Sequence, residues 1–205
     1  MSGGSNNAGK EANRMEKERQ ARIAATQAAV NNVFNSSGRA ADIADVVNAT
    51  RDYYTDQLNT QKASSDRDLL FSLARGGLIG GSANIDLQRD QNKAYNSGLL
   101  DVERRAQGAG SDLQAADQTA RANLISLATS GLDSTTAAQQ AAAALKTNLA
   151  SAQSTATANA LADGFSNFNT TLKRMQTLSD ERRANQAANL SLYGSTGGMY
   201  GGYGK

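Results

Sequence analysis

The sequence predicts an all-α fold of long antiparallel helices, and three observations carry that expectation. The 205 residues contain no Pro, Cys, His or Trp. Each interior Pro would cost a helix about 3 kcal/mol, so its absence over this length fits long uninterrupted helices. Ala, Gln, Asn, Ser and Thr dominate and aromatics make up 5% of the chain, which leaves too few large apolar side chains for a thick core. Apolar residues also recur at three- and four-residue steps over long spans, the signature of helix faces. A thin helical protein completes its burial by pairing, so the expected form is hairpins with coiled-coil-like seams gathered into a homo-oligomeric ring or bundle.

The expected organisation is a flexible arm over residues 1–9, a single elongated helical domain over 10–192 with turns near 35–38, 76–81 and 130–133, and a Gly/Tyr-rich tail over 193–205. Residues 1–9 are mostly Gly, Ser and Asn, the composition of a linker. From Lys10 to Arg22 charges alternate in sign, which marks a solvated helix start. That helix carries Ile23, Val30, Val33 and Phe34 and breaks at Asn35-Ser-Ser-Gly38. A second helix is expected from Arg39 to Arg75, with Ile43, Val46, Tyr54, Leu58 and a cluster from Leu69 to Leu73.

The second helix runs into Gly76 and Gly77, then the apolar pair Leu78 and Ile79, then Gly80, Gly81 and a helix-starting Ser82. Glycine after the last periodic residue supplies a left-handed cap, and Ser82 suits an N-cap. An apolar pair between such glycines is unusual, because solvent loops carry polar residues. These six residues, 76 to 81, are the candidate membrane or partner tip.

The third helix, from Ser82, shows a long seam through Tyr95, Leu99, Val102, Ala106, Ala109, Leu113, Ala116, Ala120, Leu124 and Leu127. Its steps of three and four residues predict a coiled-coil contact, weakened locally by Gly98, Gly108 and Gly110. A fourth helix is expected from Ser134 to Leu192, with a second seam of Leu161, Phe165, Phe168, Leu172 and Met175. Lys173, Arg174, Arg182 and Arg183 read as solvated charge beside Asp180 and Glu181. In the tail, Tyr193, Tyr200 and Tyr203 are candidate docking residues.

One stretch occurs twice. Arg67-x-x-Leu70-Phe-Ser-Leu-Ala74-x-x-Gly77-Leu78 aligns with Arg121-x-x-Leu124-Ile-Ser-Leu-Ala128-x-x-Gly131-Leu132 at an offset of 54 residues. Two copies point to two related helix-turn units. Ile79 in the first corresponds to Asp133 in the second, so one tip is apolar and the other polar.

The composition argues against an enzyme. Without His or Cys the commonest general bases, nucleophiles and transition-metal ligands are missing. Asp42 with Asp45, or Asp66 with Asp68, lacks the ligand density of a calcium loop. The glycines near Leu78 follow a helix and lack the Lys of a phosphate loop. No cofactor is expected. The formal net charge of +2 is interspersed, which leaves no nucleic-acid footprint beyond non-specific contact. No stretch reaches the 18 apolar residues of a spanning helix and no apolar run opens the chain, so a soluble chain without a signal peptide is expected.

The order of Arg22-Ile-Ala-Ala-Thr-Gln-Ala-Ala, then Ser72-Leu-Ala-Arg before a Gly-rich apolar turn, then Ser82-Ala-Asn-Ile-Asp-Leu-Gln-Arg opening a long helix, resembles the short internal virion proteins of podoviruses. The likeness covers Arg22 to Gly131. It implies an ejection protein, held in the virion as an internal core or tail-associated component and released with the genome. Such a protein assembles a channel that helps DNA cross the host outer membrane. The partners implied are other copies of the chain, other ejection proteins, portal or tail proteins, the host outer membrane and genomic DNA. On that resemblance Leu78 and Ile79 would meet the membrane and the seam from Tyr95 to Leu127 would pack hairpins together. The alternative is a structural helical adaptor or sheath of the portal and tail, docked through its Tyr tail, with no membrane activity.

Overall fold

A computed structural model describes residues 5–77, 79–158, 161 and 163–194, with the backbone alone for 5–7, 179 and 186–194. The protein is all-α: α1 is Ser5–Phe34, α2 Ser37–Gly76, α3 Ser82–Thr129, α4 Ser134–Ala158 and α5 Ser166–Gly194. The breaks at 35–36, 77–81 and 130–133 fall where Gly and Ser punctuate the apolar pattern. Residues 5–9, expected in the arm, are the first turns of α1.

The helices form two compact units. The first comprises residues 1–54 and 102–160, and the second residues 55–101 and 161–205.

In the first unit α1 and α4 pack on the second half of α3. Val30 and Phe34 of α1, Leu124 of α3, and Ala137 and Ala141 of α4 form one buried cluster, with Val33, Ile125, Leu132 and Leu145 around it. Three of its five central residues are Ala or Val, which keeps the helices close. Thr26 closes the end of this layer, its single hydroxyl proton shared between Arg22 O at 2.9 Å and Leu132 O at 3.2 Å.

In the second unit α2 and α3 pack with α5 around Leu58, Leu69, Leu73, Leu87, Phe168 and Leu172, all buried. The expected continuous helix from Ser134 to Leu192 is interrupted here. Gln57 and Gln61 of α2 take over the backbone groups that a continuing helix would have satisfied. Leu161 N–H donates to Gln57 Oε1 at 2.9 Å, Gly164 N–H to Gln61 Oε1 at 3.3 Å, and Gln61 Nε2 to Leu161 O at 3.5 Å. Asp163 Oδ1 accepts from Phe165 N–H at 2.9 Å and Phe165 is fully buried. Asp163-Gly164 is a turn dipeptide, and that was the overlooked sequence signal.

The buried face of α3 differs from the expected seam. Leu87, Gln91, Gly98, Val102, Ala106, Gly110, Leu113, Asp117, Leu124 and Ala128 are buried. Leu99 and Leu127 are 37% and 48% exposed. Gln91, Val102, Leu113 and Leu124 lie eleven residues apart, as do Ala106, Asp117 and Ala128. Eleven residues over three turns is about 3.67 per turn, against 3.5 for a heptad. α2 keeps the same spacing in its buried pairs Arg39 and Thr50, Tyr54 and Ser65, Leu58 and Leu69.

Glycine permits the close approach of α2 and α3 instead of weakening it. A Cβ on Gly98 would stand 2.5 Å from Leu58 Cδ1, and one on Gly110 would stand 2.6 Å from Val47 Cγ2. Leu58 is fully buried and has nowhere to retreat, and Val47 is stiff about χ1. Gly108 on the same helix has nothing within 4 Å of its Cβ position. Gly98→Ala and Gly110→Ala are therefore expected to destabilise by about 1 to 3 kcal/mol through overpacking, despite better helix propensity. Gly108→Ala should stabilise by up to about 1 kcal/mol. Urea denaturation midpoints of the three variants check this, and a common direction for all three would contradict the packing account.

Candidate functional site

The first turn is built by glycine. Gly77 has φ +67° and Gly80 φ +86°, values that suit glycine and strain other residues. Gly77 N–H donates to Ala74 O at 3.3 Å, and Asn84 N–H donates to Gly81 O at 3.0 Å. Gly76 is the last residue of α2. Ile79 is 63% exposed on the rim of a groove that it lines with Leu69, Leu70, Leu73, Asn84 and Gln88. Leu78 lies outside the described residues. Ile85, in the first turns of α3, is also 63% exposed.

The second turn uses the same device. Gly131 has φ +106°, its N–H donates to Ala128 O at 3.3 Å, and Leu132 N–H donates to Leu127 O at 3.2 Å. This pair of bonds is the Schellman ending of a helix, with Leu132 returned to the core. Asp133 then caps α4, its Oδ1 accepting from Thr135 N–H at 3.0 Å and Thr136 N–H at 2.9 Å. The Ile79 and Asp133 contrast thus has a local cause on the polar side.

The two turns expose different faces of the repeated helix end. At the second turn Leu124 is 7% and Ala128 1% exposed, and Ile125 is half-buried. At the first, Leu70 is 62% and Phe71 63% exposed, and Ala74 is exposed too. Leu69 and Leu73, one position earlier, are buried instead. One position is about 100° around a helix. The end of α2 therefore carries a used apolar face and a spare one.

Of the expected seam, Val102, Leu113 and Leu124 are buried, Tyr95 is half-buried with its hydroxyl 2.8 Å from Asn59 Oδ1, and Leu99 and Leu127 face outward. Leu161, Phe165, Phe168 and Leu172 are brought together in the second unit, with Met175 half-buried. Leu161 and Phe165 stand in the break before α5 and not on a helix. Lys173, Arg174, Arg182 and Arg183 of α5 are all exposed; Arg183 Nη2 donates to Arg75 O of α2, and Arg75 pairs with Asp180 at 3.6 Å. Tyr200 and Tyr203 lie outside the described residues, and only the backbone of Tyr193 is described.

Asp42 accepts from Arg39 at 3.4 Å, and Asp66 pairs with Lys62 at 2.9 Å. Among the described residues no group of three or more acidic side chains could hold a metal ion, and no helix is long and apolar enough to cross a membrane.

A buried ionic group in the first unit gave no periodic sequence signal. Arg39 of α2, 4% exposed, grips Asp117 of α3 with Nε to Oδ2 at 2.6 Å and Nη2 to Oδ1 at 2.7 Å. Asn148 Nδ2 of α4 adds a bond to Asp117 Oδ1 at 3.0 Å. Burial disfavours the charge on Arg39, yet the bonds to Asp117 and Asp42 hold its pKa above the ordinary value. Nearby, Arg51 donates to Glu103 at 2.8 and 3.1 Å and Gln107 donates to it at 2.8 Å. Arg51 first, then Gln107, holds the Glu103 carboxyl at about 2, below the ordinary 4.5.

No family model matches the chain, and neither a curated protein nor a solved structure is similar to it.

Truncating Asp117 to Ala leaves the buried Arg39 with only the 3.4 Å contact to Asp42 in place of its two short bonds, and a loss of about 3 to 5 kcal/mol is expected. Replacing both by Met and Leu should cost less, which paired thermal melts will measure. Glu103 has a lowered folded-state pKa. Its contribution is therefore complete above its unfolded value of about 4.5 and is lost as the pH falls through about 2. A carboxyl NMR titration should place its midpoint near 2, and a midpoint at the ordinary value would mean that the Arg51 pair is absent.

Proposed function

We propose that the chain is a non-catalytic phage virion protein of the DNA-ejection kind, acting by assembly and by contact at the apex of its α2–α3 hairpin. The single observation that supports this reading is the exposed apolar apex. Ile79 and Ile85 are each 63% exposed on either side of the Gly80-Gly81-Ser82 turn, and Ile79 lies in the stretch 76–81 where the resemblance puts a membrane-facing tip. Full removal of two such side chains from water is worth at most about 3 to 6 kcal/mol. One copy would hold a surface weakly, and several copies in a homo-oligomer would multiply the effect.

No described helix can span a bilayer, so lipid contact in this reading is interfacial and confined to the apex. Polar helix faces with a net charge of +2 would let a passing duplex slide, since strong phosphate contacts would retard it. That same lack of a spanning helix favours the second reading, a structural adaptor of the portal and tail whose apex meets protein.

Flotation with vesicles of phosphatidylethanolamine and phosphatidylglycerol separates the two. The ejection reading expects the wild-type chain to float with lipid. It also expects Ile79→Asp with Ile85→Asp to weaken lipid binding by at least about tenfold, about 1.4 kcal/mol and well inside the maximum set by two such side chains. A chain that stays with the lipid-free fraction at all protein concentrations would sink the membrane role and leave the adaptor.

A further inference from the structure

We propose that the spare face of α2, made by Arg67, Leu70, Phe71 and Ala74, is a docking surface for an amphipathic helix of another protein. The repeat itself shows what such a face accepts. Its second copy, Arg121, Leu124, Ile125 and Ala128, is covered inside this chain by α1 together with α4, and α1 supplies the polar contact. Arg121 Nε donates to Asn31 Oδ1 at 2.8 Å, and Leu124 is buried in one cluster with Val30 and Phe34. In this cover α1 offers apolar side chains at 30, 33 and 34 and an amide acceptor at 31.

The first copy keeps the recognition chemistry without the cover. Arg67 is exposed and donates back to Ala63 O of its own helix at 3.2 Å. Leu70 and Phe71 stand 62% and 63% exposed. Two large apolar side chains beside a guanidinium form an apolar anchor pair with a polar handle, the amphipathic chemistry that a helix-in-groove partner reads. The same helix end spends Leu69 and Leu73 on its own core, so the outward residues are not needed to hold the unit together. The guest expected is a helix with apolar residues at i, i+3 and i+4 and an Asn, Gln or carboxylate at i+1, read in the groove mode of peptide recognition. The surface lies on the flank of α2 and meets the Ile79 groove at Leu70, so binding to it is read without lipid.

A labelled peptide of residues 20–36 is the probe, titrated into the full chain without lipid and followed by fluorescence anisotropy. Saturable binding is expected, weakened at least about tenfold by Leu70→Asp or Phe71→Asp. Arg67→Ala should weaken it about threefold or more, as loss of a hydrogen bond would. Both apolar positions are exposed, so their variants should keep the wild-type melting temperature and helical circular dichroism. Absence of saturable binding would overturn the proposal. So would weakening by Arg121→Ala but not by Phe71→Asp, because the peptide would then be exchanging with α1 at its own site. Oligomers that dissociate on Phe71→Asp, with no peptide bound, would also overturn it by placing a second copy of the chain on this face.

Discussion

Shortage of bulky apolar side chains governs how these helices pack. Burial scales with the area taken from water, and a chain rich in Ala, Ser, Thr and Gln gains area mainly by bringing helix backbones together. Gly98 against Leu58 and Gly110 against Val47 are points where the approach leaves no room for even a Cβ. Once the axes are this close, no room remains for pairs of Leu facing one another. The buried face then alternates large residues such as Leu113 and Leu124 with small ones such as Ala106 and Ala128. Glycine in a long helix, a weak point by propensity alone, is here the residue that lets a thin core close.

A core of small residues is also permissive about register, because Ala packs nearly as well one turn along. Polar layers remove that freedom. Arg39, Asp117 and Asn148 connect three helices through bonds that no shifted alignment would remake. Gln91 to Ser65, at 3.3 Å, does similar service in the second unit. Ionic groups buried this deeply add little net stability, and their best attested effect is on specificity. In this chain they sit on the same eleven-residue spacing as the apolar residues, so they occupy core positions and not the rim.

Much of this was legible in the sequence and some was not, for physical reasons. Absent Pro and the apolar rhythm gave the helices, and Gly with Ser gave the turns, because local conformational preference decides both. Leu99 and Leu127, expected on the seam, are partly exposed in the single chain, and Gly98 and Ala128 beside them are buried. A scan for large apolar residues at heptad steps favours Leu99 over Gly98, whereas packing at short interaxial distance selects the residue with no side chain. Asp117 was invisible to the same scan, since a carboxylate reads as surface until its Arg is found 78 residues away. The break before α5 depends on Gln57 and Gln61, about a hundred residues distant in the chain, and no local rule reports on such partners.

The duplicated helix end shows how one sequence pattern can serve two purposes. Leu-Phe-Ser-Leu-Ala and Leu-Ile-Ser-Leu-Ala each hold more apolar surface than one helix face can present to a single neighbour. At the second turn the available helices α1 and α4 select Leu124, Ile125 and Ala128. At the first turn α3 and α5 select Leu69 and Leu73, and the remainder turns outward. Leu69 and Leu73 have Asn123 and Leu127 as counterparts, so the side that the second copy leaves open carries one polar and one apolar residue. The first copy is apolar on both sides. That asymmetry separates it from its own duplicate, and it extends the interest of this hairpin from the glycine-bounded Ile79 at its apex to the flank of the helix that leads there.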